Sequence, residues 1–512
     1  MILSLILSIA VASYNVVPLP QSIDEGQGKG YVISSVTGIK ADKSLARETS
    51  FLQEYILESS GLQCSKKGSG ISLEIDSNLP TEGYCLEVTE NGVKISGGSA
   101  AGVFYGVQTL RKSLPKGKFS EVELPAVKIE DSPLYEWRGL MLDCARHFFT
   151  VDFVKEYIDL MALHNMNRFH WHLTDDQGWR IPIKGLPELV KKGSQRSGTV
   201  VGNNSDVDDE TPYGGYYTRA QIKEIIKYAA ERHIEVIPEI DVPGHASAIL
   251  ACYPELGCTG GPYKVGHKWG VYNDVLCIGN PKTTEVVKKI LSEVMDIFLS
   301  QYIHIGGDET PTVRWEACSK CEAVSLGEGE SLQGHFTREI AAFVESKGKR
   351  IIGWDEMLGS GIDKSAVIMS WRGTTPGEKA AQMGHDVIMT PLTHCYFDYY
   401  QCENTNYEPS ITGMWPISVD KVYSLQFDPS LKIMGVQANL WTEHIASEEV
   451  AEYMVLPRMA ALCEVQWTAS RDADSFRDRL TELAKLYDIY GYKYAVHFWP
   501  ERVTSDRWHI DQ

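Results

Sequence analysis

From about Trp137 onward the chain alternates short apolar runs with amphipathic stretches. The apolar runs are Gly139–Leu142, Arg168–His172, Ile234–Ile240, Tyr302–Ile305, Arg350–Trp354, Ala366–Trp371, Val387–Met389 and Ile433–Leu440. Between several of them lie segments with helical spacing: Val151–His164, Arg219–Arg232, Lys282–Ser300, Leu332–Lys347 and Glu449–Cys463. Eight apolar strands in strand-then-helix order predict a (β/α)8 barrel over residues 129–512. Helix signals are weak after the fifth and seventh strands, so irregular crossovers are expected there.

Residues 14–128 follow a different pattern. Ile71–Ile75, Tyr84–Val88 and Val93–Ser96 are short alternating strands, and Glu90-Asn-Gly92 supplies a turn between two of them. An amphipathic helix over Ala100–Leu114 is stopped by Pro115. The fold class is therefore α/β, a TIM barrel preceded by a small α+β domain. Nothing in the small domain gathers acids, bases or ligands.

Composition narrows the partners. The chain is 43% hydrophobic and 23% charged, as expected of a soluble globular protein. A formal charge of −19 repels phosphate backbones, which argues against nucleic acid. The opening apolar run, ending in Ala10-Val-Ala12, is too short to span a bilayer. It reads as a signal peptide over residues 1–13, which places the protein in the secretory pathway, secreted or in a lysosome-like compartment. Asn203-Asn-Ser205 is the one glycosylation sequon, with Asn203 as acceptor in a polar loop. Cys252, Cys258 and Cys277 crowd one segment, and Cys395 and Cys402 bracket another. Both are candidate loop staples, with connectivity undetermined. Cys318-Ser-Lys-Cys321 has metal-ligand spacing, but a structural zinc site wants a second pair at similar spacing and none follows. No metal and no cofactor are expected.

In a TIM barrel the functional side chains gather at the carboxyl ends of the strands. Those ends carry Asp143 and Arg146, Asp175-Asp176, Glu239, Asp241 and His245, then Asp308-Glu309. Further on come Trp354-Asp-Glu356, Trp371-Arg372, Tyr396, Asp398, Trp441 and Glu443. Carboxylates accept hydroxyl hydrogen bonds and indole faces cover apolar ring faces, so this combination suits a sugar. Adjacent residues in a strand point to opposite faces. Asp308-Glu309 must therefore lie just past the fourth strand, where Gly306-Gly307 loosens the backbone.

His304-Ile-Gly-Gly-Asp-Glu309, His170-Trp-His-Leu-Thr-Asp-Asp-Gln-Gly-Trp179 and Pro238-Glu-Ile-Asp-Val-Pro-Gly-His245 strongly resemble family 20 of the glycoside hydrolases, the β-N-acetylhexosaminidases. Leu142-Asp-Cys-Ala-Arg146 resembles that family's first-strand motif, and the likeness extends to the small domain. The resemblance implies exo-acting, retaining hydrolysis of terminal β-linked N-acetylhexosamines, in which the substrate's 2-acetamido oxygen is the nucleophile. It implies Glu309 as general acid and then base, and Asp308 as the group that orients the acetamido N–H. Arg146 and Glu443 would grip the C3 and C4 hydroxyls. Trp354, Trp371 and Trp441 would wall the acetamido pocket, and Tyr396 would bond its carbonyl. Asp398 would reach the C4/C6 side, where an ionised carboxylate repels a 6-sulfate. Asp175 and His245, grouped with the substrate-binding residues, would support the acid-side geometry. Two carboxylates as close as Asp308 and Glu309 should titrate as a pair, keeping one protonated. The resemblance also allows a homodimer.

Two rivals were weighed. His170 and His172 share a strand face, as in metal-dependent amidohydrolases. That chemistry wants the pair on the first strand and further histidines later, whereas here the later ends offer carboxylates and tryptophans. A sugar-binding protein without activity would have no use for a proton donor, yet both Asp308 and Glu309 are present. N-acetylglucosamine and N-acetylgalactosamine, which differ only at C4, are not separated.

Overall fold

The structure is a computed structural model that describes residues 9–66, 68–409 and 415–503. Its centre is a closed parallel barrel of eight strands. They are β1 (Trp137–Asp143), β2 (Arg168–His172), β3 (Glu235–Glu239), β4 (Tyr302–His304), β5 (Arg350–Trp354), β6 (Val367–Ser370), β7 (Val387–Met389) and β8 (Gly435–Leu440). Each strand pairs with its successor, and β1 closes on β8 with Trp137 opposite Gly435. Helices outside and side chains inside leave the strands dry on both faces, so β1, β6, β7 and β8 are buried at every position. All eight lie where the apolar runs place them.

The crossovers are less regular. The stretch expected as one helix, Glu449–Cys463, is two, Glu448–Val455 and Arg458–Trp467. Pro457 separates them because it has no N–H to continue the first and its ring clashes with the preceding turn. After β5 a 3-10 turn, Asp355–Ser360, stands in place of a helix, and after β7 come only the short Leu392–Cys395 and Val419–Tyr423. Three helices of nine or more residues escaped the sequence reading, Ala46–Ser60, Thr375–Met383 and Ala473–Tyr490.

The small domain is a six-stranded mixed sheet packed against Ala46–Ser60 and Ala100–Ser113. Its last strand is Val127–Asp131, paired with Ser22–Glu25 and Tyr84–Val88. The domain boundary therefore falls beyond residue 131, not at 128. The missed signal is the alternation of Val127, Ile129 and Asp131, buried, with exposed Lys128 and Glu130. The domain is tied to the barrel through polar contacts. Glu82 receives Arg138 of β1 at 2.8 and 3.0 Å, and Asp131 receives the Trp467 indole N–H at 2.9 Å.

Two expectations about the ends and the thiols meet the structure here. The first eight residues of the apolar leader lie outside the described residues. Ile9–Val11 forms a strand parallel to Glu121–Glu123, and Ala12 is buried, so removing residues 1–13 would take this strand away. None of the eleven cysteines is in a disulfide, so the expected loop staples at Cys252, Cys258 and Cys277 and at Cys395 and Cys402 are not formed.

Candidate active site

The loops at the carboxyl end of the barrel enclose a cavity of about 340 Å³. It is lined by Arg146, Asp308, Glu309, Trp354, Trp371, Tyr396, Asp398, Trp441 and Glu443, so nine of the residues proposed from sequence meet in one place. This volume sits at the small end of ligand sites, roughly 300–1,000 Å³, and suits a single sugar ring. Trp354 is buried at the base, 5.8 Å from Trp441 between ring centres. Tyr396 stacks on Trp371 with the rings 6.1 Å apart.

Backbone shape at the end of β4 delivers the carboxylate pair. The strand ends at His304, and Gly306 and Gly307 follow with φ of 68° and 90°. A side chain on Gly306 would also stand 1.8 Å from the Asp241 carboxylate, so only glycine fits. The two glycines break the strand's alternation and let Asp308 and Glu309 both face the cavity. Glu309 and His245 themselves hold φ of 42° and 46°, a region costly for side chains larger than glycine. Asp308 lies deep, its side chain 13% exposed, while that of Glu309 at the rim is 41% exposed.

Behind the cavity wall runs a buried network. Asp175 Oδ2 meets Arg146 Nη2 at 2.9 Å and His172 Nε2 at 3.0 Å, and Asp175 Oδ1 meets His245 Nδ1 at 3.1 Å. The other face of His245 looks at the pair, with Nε2 3.5 Å from Glu309 and 3.7 Å from Asp308. Arg146 also pairs with Asp143 at 3.1 Å and approaches Glu443 at 3.8 Å, and its guanidinium lies 5.0 Å from the Trp441 ring centre. Asp175 and His245 do not line the cavity. Their place among the substrate-binding residues is thus corrected to positioning residues, because the Asp175 oxygens are taken by Arg146, His172 and His245, and His245 faces the carboxylate pair. Asp175-Asp176 is not a helix cap of its own chain segment: Asp175 closes a two-residue strand, and Asp176 accepts from the Ser247 N–H at 2.8 Å.

Glu239 was noted at the end of β3 without a role. It is fully buried, accepts from His172 Nδ1 at 2.5 Å and from the Trp354 indole at 3.0 Å, and has His170 and His304 nitrogens at 2.9 Å. His170 and His172 are thereby structural histidines. A glutamate inside the apolar run Val236–Ile240, with histidines on both neighbouring strands, was the available signal. Trp269 and Asn204 at the rim were also missed; the Asn204 side-chain Oδ1 accepts from the Trp269 backbone N–H at 2.7 Å. Asn203 lines the cavity too, so the proposed glycan acceptor sits at the mouth of the site and not on a remote loop.

A family model described as "Glycosyl hydrolase family 20, catalytic domain" matches residues 135–470, and one described as "Glycosyl hydrolase family 20, domain 2" matches residues 13–132. The chain belongs to glycoside hydrolase family 20. A β-hexosaminidase of Porphyromonas gingivalis is 38% identical over 508 residues, which is 94% of this chain but 64% of that protein. The chain thus spans less than two thirds of that relative. A β-N-acetylhexosaminidase of Cellulomonas fimi is 31% identical, over 94% of this chain and 95% of its own. Among solved structures, an exo β-N-acetylglucosaminidase of Vibrio harveyi in complex with N-acetylglucosamine superposes with a TM-score of 0.84 at 30% identity, covering 95% of this chain and 79% of that one. A Streptomyces plicatus β-hexosaminidase mutant in complex with its product does so at 0.81 and 32%, covering 94% and 96%.

Electrostatics distinguish the two carboxylates of this family 20 hydrolase. Burial pushes Asp308 above the ordinary carboxylate range. Glu309 is held below it, chiefly by the hydrogen bond from His245. Burial opposes a charge on His245, but Asp175 beside it more than compensates and keeps the imidazole protonated well above its usual range. The two shifts run in opposite directions, so a proton binds more readily at Asp308 than at Glu309, the proposed acid. At the far side, burial and then the neighbouring Glu443 push Asp398 well above the carboxylate range. That corrects the expectation of an ionised Asp398.

His245→Asn removes a positive charge from beside the pair. Without it both macroscopic pKa values of the pair rise, by about one to three units. Activity that needs one shared proton is lost as pH climbs through the upper value. The alkaline limb of kcat/KM is therefore expected to move to higher pH in His245→Asn, measured over the full profile, and a limb that stays in place would remove His245 from this role.

Proposed function

We propose that this chain is an exo-acting, retaining β-N-acetylhexosaminidase that works by substrate assistance. The observation that carries the reading is Asp308, a carboxylate in the lining of a cavity sized for one sugar, whose buried Oδ1 has no partner among the described residues. Buried polar atoms are almost always satisfied, so such an orphan marks a place for a ligand's donor. The acetamido N–H is a donor of the right kind, and Tyr396, Trp354, Trp371 and Trp441 surround the space its methyl and carbonyl would fill.

In the first step the acetamido oxygen attacks the anomeric carbon while the glycosidic oxygen leaves with the Glu309 proton. The product is a cyclic oxazolinium whose positive charge Asp308 stabilises. In the second step Glu309 takes a proton from water, the water oxygen attacks the anomeric carbon, and the ring reopens to the acetamide with retention. Substrate prepares the pair for this. The N–H hydrogen bond favours the Asp308 anion, and the sugar covers Glu309 and strips its water. Both effects drive the shared proton onto Glu309.

The secretory destination rests on the apolar leader pattern alone, and the pairing of Ile9–Val11 weighs against a cut after residue 13.

Turnover of chromogenic β-GlcNAc and β-GalNAc substrates, with a plain β-glucoside refused, is the expected specificity. Glu309→Gln should lose about 10²–10⁴-fold on poor leaving groups and far less on activated aryl groups, which need no proton. Near-wild-type cleavage of a chitobiose-type substrate by that variant would overturn the assignment.

A neutral Asp398 changes what is expected of sulfated sugars. The protonated carboxyl does not repel a 6-sulfate; the anion formed at higher pH does. The ratio of kcat/KM for neutral over 6-sulfated N-acetylglucosaminides should therefore widen as pH rises, and the widening should vanish in Asp398→Asn. A ratio independent of pH in the wild type would contradict this placement of Asp398.

A further inference from the structure

Four cysteines from two separate loops meet away from the sugar cavity. Cys258 and Cys277 lie in the long connection after His245, between the helix Ser247–Cys252 and the helix Pro281–Ile297. Cys318 precedes the short helical turn Ser319–Glu322 and Cys321 lies within it, a little downstream of Glu309. Their sulfurs all lie within 4.8 Å of one another. The individual separations are 3.8 Å for Cys258–Cys321, 3.7 Å for Cys277–Cys318 and 3.6 Å for Cys277–Cys321. Cys277, Cys318 and Cys321 are buried and Cys258 is half-buried.

These distances discriminate between two kinds of thiol chemistry. A disulfide brings sulfurs to about 2.05 Å. A tetrahedral zinc with Zn–S bonds of about 2.3 Å sets its four sulfurs about 3.8 Å apart along every edge. Three of the six edges match the tetrahedron, and the other three lie within 4.8 Å. The surroundings are built to the same end. A side chain on Gly279 would come within 2.1 Å of the Lys320 carbonyl, so glycine permits the two loops to touch here. The Trp315 indole donates to the Leu276 carbonyl at 2.9 Å, and Arg314 pairs with Asp274 at 2.7 Å across the same junction.

We propose that Cys258, Cys277, Cys318 and Cys321 bind one structural zinc ion. Zinc(II) replaces the proton on each thiol, releasing up to four protons and leaving a closed tetrathiolate with no open position for substrate. The ion staples the loop that follows His245 to the loop that follows Asp308-Glu309, and so fixes the two segments whose side chains share the catalytic proton. The expectation of no metal is corrected on this point. Cys318-Ser-Lys-Cys321 does have a candidate second pair of ligands, but its members, Cys258 and Cys277, are nineteen residues apart in the chain and come from the preceding crossover.

The test uses the full chain, purified without metal-affinity steps or added metal. Elemental analysis should find about one zinc per chain, released on titration of the thiols with an organomercurial. Protein made in cobalt-supplemented medium should show the visible spectrum of a tetrahedral cobalt thiolate. Cys277→Ser and Cys318→Ser should each lower bound zinc at least about tenfold and lower the Tm by about 5–10 °C. Should those variants fail to fold, the metal content and cobalt spectrum of the unaltered chain still decide. Zinc below about a tenth of an equivalent, with the four cysteines recovered as free thiols or as two disulfides, would overturn the proposal. So would iron in place of zinc, since a tetrathiolate site also suits that metal.

Discussion

The buried carboxylate of Asp175 is the joint on which the active site turns. One of its oxygens holds Arg146 and His172, and the other holds His245. Burial alone would neutralise it, but the charges of Arg146 and His245 outweigh that and keep it ionised far below the usual carboxylate range. Through Arg146 it orients the side of the cavity that carries Glu443 and Trp441. Through His245 it sets the charge beside Asp308 and Glu309. Through His172 it reaches Glu239, which fixes the Trp354 base. A small displacement of this one group would be felt at every face of the sugar, and misplacements of that kind are costly in rate.

The second constraint is a shortage of positive charge. Asp143, Asp175, Glu239, Asp241, Asp308, Glu309, Asp398 and Glu443 crowd one barrel mouth around Arg146 and a few histidines. They cannot all ionise. Asp175, Glu239 and Glu309, beside the cations, are held down, whereas Asp241, Asp308, Asp398 and Glu443 are pushed up, each first by burial and then by neighbouring carboxylates. Asp308 and Asp398 are also the ones with an unpartnered oxygen at the cavity. The groups left wanting a proton or a donor are thus the groups a sugar's N–H and O–H can serve.

Much of this was legible in the sequence, for a physical reason. Parallel barrel strands are dry on both faces, so each appears as an unbroken apolar run, and the polar residues just beyond each run must gather at one end. That logic reached the nine side chains lining the cavity. It did not reach groups whose role depends on which neighbour they meet. Glu239 looks like any strand-end acid until three histidines and an indole surround it. The reversed affinities of Asp308 and Glu309 depend on which of them hydrogen-bonds to His245. The partners of Cys318 and Cys321 lie on a different crossover. The helix Ala473–Tyr490 was legible but not read, since Phe476, Leu480, Leu483 and Tyr487 recur at helical spacing.

The central claim is that the nucleophile belongs to the substrate and not to the protein. Replacing the methyl hydrogens of an aryl 2-acetamido-β-glucoside by fluorine, one at a time, weakens the acetamido oxygen while leaving the leaving group and the sugar ring unchanged. The account predicts that kcat/KM falls steeply and monotonically with each fluorine, because the oxygen attacks in the rate-limiting step. A series in which kcat/KM is flat would contradict it and place the nucleophile on Asp308 or Glu309.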